Sequence, residues 1–136
     1  WLGAEEFWTD LAHTSERNLQ LKNGYPSVYF QFLSNVVHEN FQDNILPFPN
    51  TSTIGYQYLK YNNIIADLIY IDGSHLEDDV LLDLKNYWKI LKKDGIIFGD
   101  DYTPNRWPGV VNAVNKFASQ EGIHLNIEEE KWWIKK

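Results

Sequence analysis

The stretch ADLIYIDGSHLEDDV, residues 66–80, decides the fold, because an apolar segment runs directly into the polar sequence DGSH. A second apolar segment, GIIFGDDY at 95–102, also ends in aspartates. Between them, apolar residues recur at helical spacing, which predicts an amphipathic helix. A strand, a helix and a strand in this order form a βαβ unit, whose two strands are parallel and most often adjacent. We therefore expect both acidic strand ends at the same edge of one sheet.

The rest of the chain continues the alternation of helices and strands. Helical spacing covers residues 26–40 and 53–61, and a short apolar segment at Ile45–Phe48 predicts a strand. A further helix closes at Gly122, and the tail 124–136 alternates in polarity, as a β-hairpin does. This order predicts an α/β sandwich with a mostly parallel sheet and a C-terminal antiparallel hairpin.

Three carboxylates, Asp72, Asp100 and Asp101, are brought together by this topology. Their mutual repulsion has to be offset by protonation, by a cation or by a basic ligand. An all-oxygen ligand set without cysteine favours Mg²⁺. The alternative for each aspartate is a water-exposed turn or cap residue. The convergence of all three with a histidine favours a metal site.

His75 is a candidate general base. A capping-box pattern formed by Ser74 and Glu77 places His75 in the first turn of the following helix. The helix dipole and a bound metal would disfavour an imidazolium there, whereas the carboxylates would favour it. With metal bound, we expect a neutral imidazole that accepts a proton. The alternative is a solvent-facing residue at the helix start.

Composition narrows the class of function. The chain has 136 residues, 43% of them hydrophobic, a net charge of −7 and no cysteine. Without a basic run, nucleic acid and anionic membranes are poor partners. The sequence also contains neither a signal-peptide pattern nor an apolar run of the roughly 20 residues that a membrane helix needs. We expect a cytoplasmic protein that acts on a small molecule.

The motifs resemble those of class I S-adenosylmethionine-dependent methyltransferases of the methyltransferase-24 type. The similarity lies in the strand followed by IDGSH, the acidic helix, the strand followed by GDDY, and the later WPGVVNAVNKFA and KWWIKK. ILPFPNTS resembles the third-strand region, and WLG the segment after the second strand. The resemblance is specific over 66–118 and loose before 45. It implies a Rossmann-like three-layer sandwich and methyl transfer from S-adenosylmethionine.

The resemblance also implies roles for individual residues. Related magnesium-dependent sugar O-methyltransferases carry metal-binding acids after the fourth and fifth strands, and some carry a histidine base. Transferred to this chain, the metal ligands are Asp72, Asp100 and Asp101, the catalytic base is His75, and the cofactor contacts are Ser52, Asp72, Gly73 and Ser74. The implied reaction is O-methylation of a small molecule such as a sugar hydroxyl, with Mg²⁺ as a second cofactor.

One departure from the family pattern affects the N-terminal side. The sequence has no G-x-G-x-x-G loop, and the acid that holds the cofactor ribose would precede Trp1. We expect residues 1–136 to be a single partial domain lacking the first strands, with a helical and variable part at 1–44 and the sheet core at 45–136. The expected partners are a missing N-terminal half or further copies of the chain in a homo-oligomer. The strand at 67–71 would then have an open edge.

Two other functions compete with methyl transfer. A non-catalytic methyltransferase-like binding domain, or an inactive fragment, would keep the fold and use the acidic crevice for binding. A different metal-dependent enzyme, such as a hydrolase, has less support, because the sequence contains neither H-E-x-x-H nor a nucleophile elbow.

Overall fold

The computed structural model describes residues 20–136, and the chain divides into two compact units with the boundary between Asn50 and Thr51. Three elements are described in the first unit: β1 (Leu21–Lys22), β2 (Tyr25–Pro26) and α1 (Ser27–His38). The two strands form an antiparallel hairpin, and the predicted helix at 26–40 is confirmed as α1. Residues 1–19 of the helical and variable part predicted at 1–44 lie outside the described residues, and the single-domain division stays a prediction.

The strand predicted at Ile45–Phe48 is wrong. These residues have no strand conformation, and Leu46 is largely exposed. Proline lacks the amide hydrogen that a sheet ladder requires, and Pro47 and Pro49 alternate through this segment. The apolar character of this segment was therefore not enough to form a strand. Its backbone lacks hydrogen-bond donors at the prolines, and no described strand pairs with it.

Seven elements make up the second unit: α2 (Ser52–Tyr61), β3 (Ala66–Ile71), α3 (Glu77–Ile90), β4 (Leu91–Gly99), α4 (Pro108–Glu121), β5 (Asn126–Glu128) and β6 (Lys131–Lys135). Local signals account for several boundaries. Thr51 Oγ1 accepts a hydrogen bond from the Ile54 amide and caps α2, and Gly122, with a φ of 65°, ends α4 in the left-handed conformation.

The sheet of the second unit has the order β3-β4-β6-β5. The predicted parallel pairing of β3 with β4 is confirmed, as is the C-terminal hairpin of β5 and β6. Because β6 pairs antiparallel with β4, the four described strands form a mixed sheet. Among the described residues, the other edge of β3 carries no partner strand.

The core lies between one face of this sheet and helices α3 and α4. Ile97 and Ile134 point from the sheet into a cluster that Leu84 and Val114 complete from the helices, and all four side chains are fully buried. On the opposite face, in the described part of the chain, Leu68 remains about half exposed. Among residues 20–136, no helix combines the length and the apolar character that a membrane crossing requires.

Candidate active site

The site begins where β3 and β4 end side by side. Ile71 pairs with Gly99, so the residues that follow, Asp72 and Asp100, leave the sheet at the same edge. Gly99 allows a close approach here, because a Cβ at this position would lie 2.4 Å from the ring of Trp132. The central expectation from the sequence, that the two acidic strand ends are neighbours, is confirmed.

A small cleft at this edge collects the predicted site residues. It is lined by Ile71, Asp72, Gly73, Ser74, His75, Val80, Asp100, Asp101, Val110 and Trp132. The cleft is partly open to solvent, and its volume of about 10 Å³ admits about one water molecule. The described residues therefore supply one wall of a site rather than an enclosed pocket.

Ser52 is the predicted site residue that does not line this cleft. It is the first residue of α2, and its carbonyl oxygen accepts a hydrogen bond of 2.8 Å from the Tyr87 hydroxyl. Burial raises the pKa of Asp83 on α3, and a hydrogen bond with the Ser52 side chain acts in the opposite direction. Ser52 thus ties α2 to α3, and its contact with a cofactor stays a prediction.

The predicted capping box before α3 is wrong. Ser74 Oγ accepts a hydrogen bond from the Leu76 amide, and the helix begins at Glu77, whose carboxylate pairs with Lys116 on α4 at 3.1 Å. His75 consequently precedes the helix instead of lying in its first turn.

Among the described residues, the side chains of Asp101 and Trp107 hold the imidazole of His75. Its Nε2 lies 3.0 Å from Asp101 Oδ2, and its ring stacks on the indole of Trp107 with 3.7 Å between ring centroids and 12° between planes. The His75 and Asp101 side chains are partly buried, with 19% and 29% of their surface exposed. Asp101 has a φ of 64°, a conformation that aspartate tolerates better than most residues and that is often found at functional sites.

Asp100 is engaged by a different partner. Its Oδ2 accepts a hydrogen bond of 2.6 Å from Lys131 Nζ, and its Oδ1 accepts one from the Asp101 amide. The hydrogen bond from Lys131 is the main cause that lowers the pKa of Asp100, followed by the bond from the Asp101 amide. Lys131 therefore supplies the positive charge next to Asp100 that the sequence analysis assigned to a metal.

The three aspartates as placed do not fit a magnesium site. Within residues 20–136, no group of three or more histidine, aspartate or glutamate side chains is arranged to hold a metal ion. The physical reason is that Asp100 pairs with Lys131 and Asp101 with His75, so their oxygens are directed at protein cations and donors. The magnesium set read from the sequence is not supported by this geometry.

Asp72 contacts one member of an aromatic pair that the sequence pattern did not predict. Tyr70 stacks on Phe98 with 4.8 Å between ring centroids, and its side chain hydrogen-bonds to Asp72. Burial, followed by the interactions with Asp72, raises the pKa of Tyr70 to about 12. The Tyr70 hydroxyl therefore stays protonated at neutral pH and can donate to the Asp72 carboxylate.

Comparisons with known proteins agree with this arrangement at the level of fold. CalS11, the TDP-rhamnose 3′-O-methyltransferase of calicheamicin biosynthesis, superposes with a TM-score of 0.62 at 19% identity, over 85% of this chain and 53% of CalS11. A proposed caffeoyl-CoA O-methyltransferase from Staphylococcus aureus gives 0.63 at 13% identity, over 94% of this chain and 73% of that protein. The Rossmann-like α/β fold is therefore confirmed.

Sequence comparisons identify the family. The uncharacterized protein R132 of Acanthamoeba polyphaga mimivirus is 43% identical over 54 residues, which are 39% of this chain and 24% of R132. The chain thus spans about a quarter of this relative and about half of CalS11. The family model of methyltransferase-24, described as a methyltransferase domain, matches residues 6–102. Because this match covers more than half of the chain, the protein belongs to the methyltransferase-24 family.

Proposed function

We propose that the protein is an S-adenosylmethionine-dependent O-methyltransferase and that His75 removes the proton of the acceptor hydroxyl. The observation that carries the proposal is the 3.0 Å contact between His75 Nε2 and Asp101 Oδ2, at the edge where β3 and β4 end. A histidine oriented by a carboxylate is a recurrent general base. Family membership supports the transfer of a methyl group.

The chemistry of the base follows from the hydrogen bond to Asp101. An ionised carboxylate can only accept, so Nε2 carries the hydrogen and the neutral ring has its lone pair on Nδ1. Nδ1 is then the atom that takes the proton from the acceptor hydroxyl as the oxygen attacks. The imidazolium that forms is stabilised by the adjacent Asp101 carboxylate.

The residues after β3 suit the cofactor. S-adenosylmethionine carries a positive sulfonium and, when bound, supplies an electrophilic methyl group. Asp72 would offer a negative charge to the bound cofactor, and Gly73 leaves open space, since a Cβ there would meet nothing within 4 Å. We expect Asp72, Gly73 and Ser74 to hold the cofactor, as the family resemblance implies.

The proposed acceptor is a small molecule with a hydroxyl group, such as a sugar. CalS11 is described as a TDP-rhamnose 3′-O-methyltransferase, and the Staphylococcus aureus protein as a proposed caffeoyl-CoA O-methyltransferase. Both descriptions specify methylation of oxygen. A histidine base fits this class, because an alcohol is a poor nucleophile until it loses its proton.

The test is transfer of an isotopically labelled methyl group by the full-length protein, with TDP-rhamnose and caffeoyl-CoA as probe acceptors. We expect labelled methyl on an oxygen of one of the two probes. Cofactor binding by calorimetry without transfer to either probe would instead favour the non-catalytic binding domain. Failure to bind S-adenosylmethionine would overturn the proposal entirely.

Magnesium has no part in this proposal, because the carboxylate oxygens of Asp100 and Asp101 already face Lys131 and His75. We expect Mg²⁺ to bind more weakly than about 1 mM, the weak end of oxygen-ligand sites. Isothermal titration with MgCl₂ measures this. The matched variant Lys131→Ala should bind Mg²⁺ more tightly, because it leaves the Asp100 charge without its ammonium. Micromolar binding by the wild type would contradict the geometry.

A further inference from the structure

His75 is contacted by the Trp107 side chain, which precedes α4, and by the backbone of the first turn of α4. Trp107 precedes the helix, and its amide donates a 2.7 Å hydrogen bond to the Thr103 carbonyl, which holds the backbone at Trp107 in place. The Arg106 guanidinium lies 5.3 Å from the centre of that indole. Two residues later, a Cβ at Gly109 would lie 2.3 Å from the His75 carbonyl oxygen, so the first turn of α4 lies directly against the His75 backbone.

A hydrogen bond and a stacked ring restrain different motions of an imidazole. The Asp101 carboxylate meets Nε2 at the edge of the ring, which fixes one point but lets the ring plane turn about that bond. The indole of Trp107 lies 3.7 Å away and within 12° of parallel, and this contact fixes the plane. Together the two contacts define where Nδ1 points.

We propose that Trp107 is a positioning residue that sets the plane of the His75 imidazole for proton transfer. The inference rests on the proposed function, because it assigns Trp107 a role through the base at His75. The near-parallel indole limits rotation of the imidazole plane, and a displacement of about 1 Å at a reacting group can cost about 100-fold in rate. If Trp107 only filled space, its replacement would affect stability without affecting the orientation of His75.

The experiment compares Trp107→Leu, Trp107→Phe and the control Trp133→Leu in the full-length protein. The ring protons of His75 should resonate upfield in the wild type, since they lie over the indole face. Trp107→Leu should abolish the upfield shift and lower kcat by about 10- to 100-fold with little change in KM for S-adenosylmethionine. Trp107→Phe should retain part of the upfield shift and part of kcat, and Trp133→Leu should change neither quantity.

The outcomes separate this inference from the proposed function. Loss of the upfield shift with wild-type kcat in Trp107→Leu, while His75→Ala is slow, would overturn the positioning role alone. An upfield shift in the wild type together with full activity of His75→Ala would overturn the base assignment, and the positioning role with it. Wild-type His75 protons at ordinary shifts would show that the stack does not form. Thermal unfolding of each variant checks that the fold is retained, and the Trp107→Phe variant keeps the test valid if Trp107→Leu is unstable.

Discussion

His75→Ala in the full-length protein is expected to slow methyl transfer by about 10²- to 10⁴-fold, the usual contribution of a positioned general base. The affinity for S-adenosylmethionine should change little, because the imidazole is directed at Asp101 and Trp107. The loss should shrink as pH rises, because hydroxide partly replaces the base. Single-turnover rates with labelled cofactor, measured from neutral to alkaline pH, give the result.

The matched control for this variant is His124→Ala. His124 is an exposed histidine that does not line the acidic cleft. Its replacement should leave the rate within about twofold of wild type, since surface substitutions away from a site have small effects. A His75→Ala variant as fast as His124→Ala would show that His75 only precedes a helix, and the base would have to be sought among the aspartates.

Trp132→Ala is expected to lower the free energy of unfolding by about 3–5 kcal/mol, as for other large buried aromatic residues. The indole is 1% exposed and packs within the core, and its Nε1 donates a 3.2 Å hydrogen bond to the Asp100 carbonyl. The neighbouring Trp133 provides the control. Its side chain lies on the opposite face of the sheet and is 37% exposed, so Trp133→Ala should cost about 1 kcal/mol or less.

Urea denaturation followed by circular dichroism measures both tryptophan variants. Equal losses from Trp132→Ala and Trp133→Ala would contradict the assignment of the core to one face of the sheet. A loss at Trp132 that is several times larger would support it. The two variants are well matched, because both remove a tryptophan side chain and the two residues are adjacent in β6.

The βαβ unit could be predicted because its signals are local and repeated. Apolar β3, the striped α3 and apolar β4 follow one another closely, and chain topology then dictates parallel pairing at Ile71 and Gly99. The start of α3 was predicted two residues too early. The capping-box pattern suggested that Ser74 caps the helix, but its hydroxyl accepts a hydrogen bond from the Leu76 amide, before the helix begins. The apolar segment at 45–48 was wrongly predicted to be a strand, because its prolines lack the amide hydrogens that a sheet needs.

The site was predictable as far as it follows from the strand ends. Asp72, His75, Asp100 and Asp101 line one cleft, as the topology required. Lys131 was missed because its place beside Asp100 depends on the register of β6 against β4, in which Trp132 faces Gly99. Nothing in the sequence fixes the register of a strand that pairs 33 residues away (132 − 99 = 33).

The most direct test of the central claim is a double-mutant cycle on the rate of methyl transfer, built from His75→Ala, Asp101→Asn and the two together. Asparagine retains the shape of Asp101 and tolerates its positive φ, but it lacks the charge that orients and stabilises the protonated imidazole. If Asp101 acts through His75, Asp101→Asn slows the wild type but has almost no further effect once His75 is alanine. The same slowing factor in both backgrounds would contradict the account, because the two residues would then act independently.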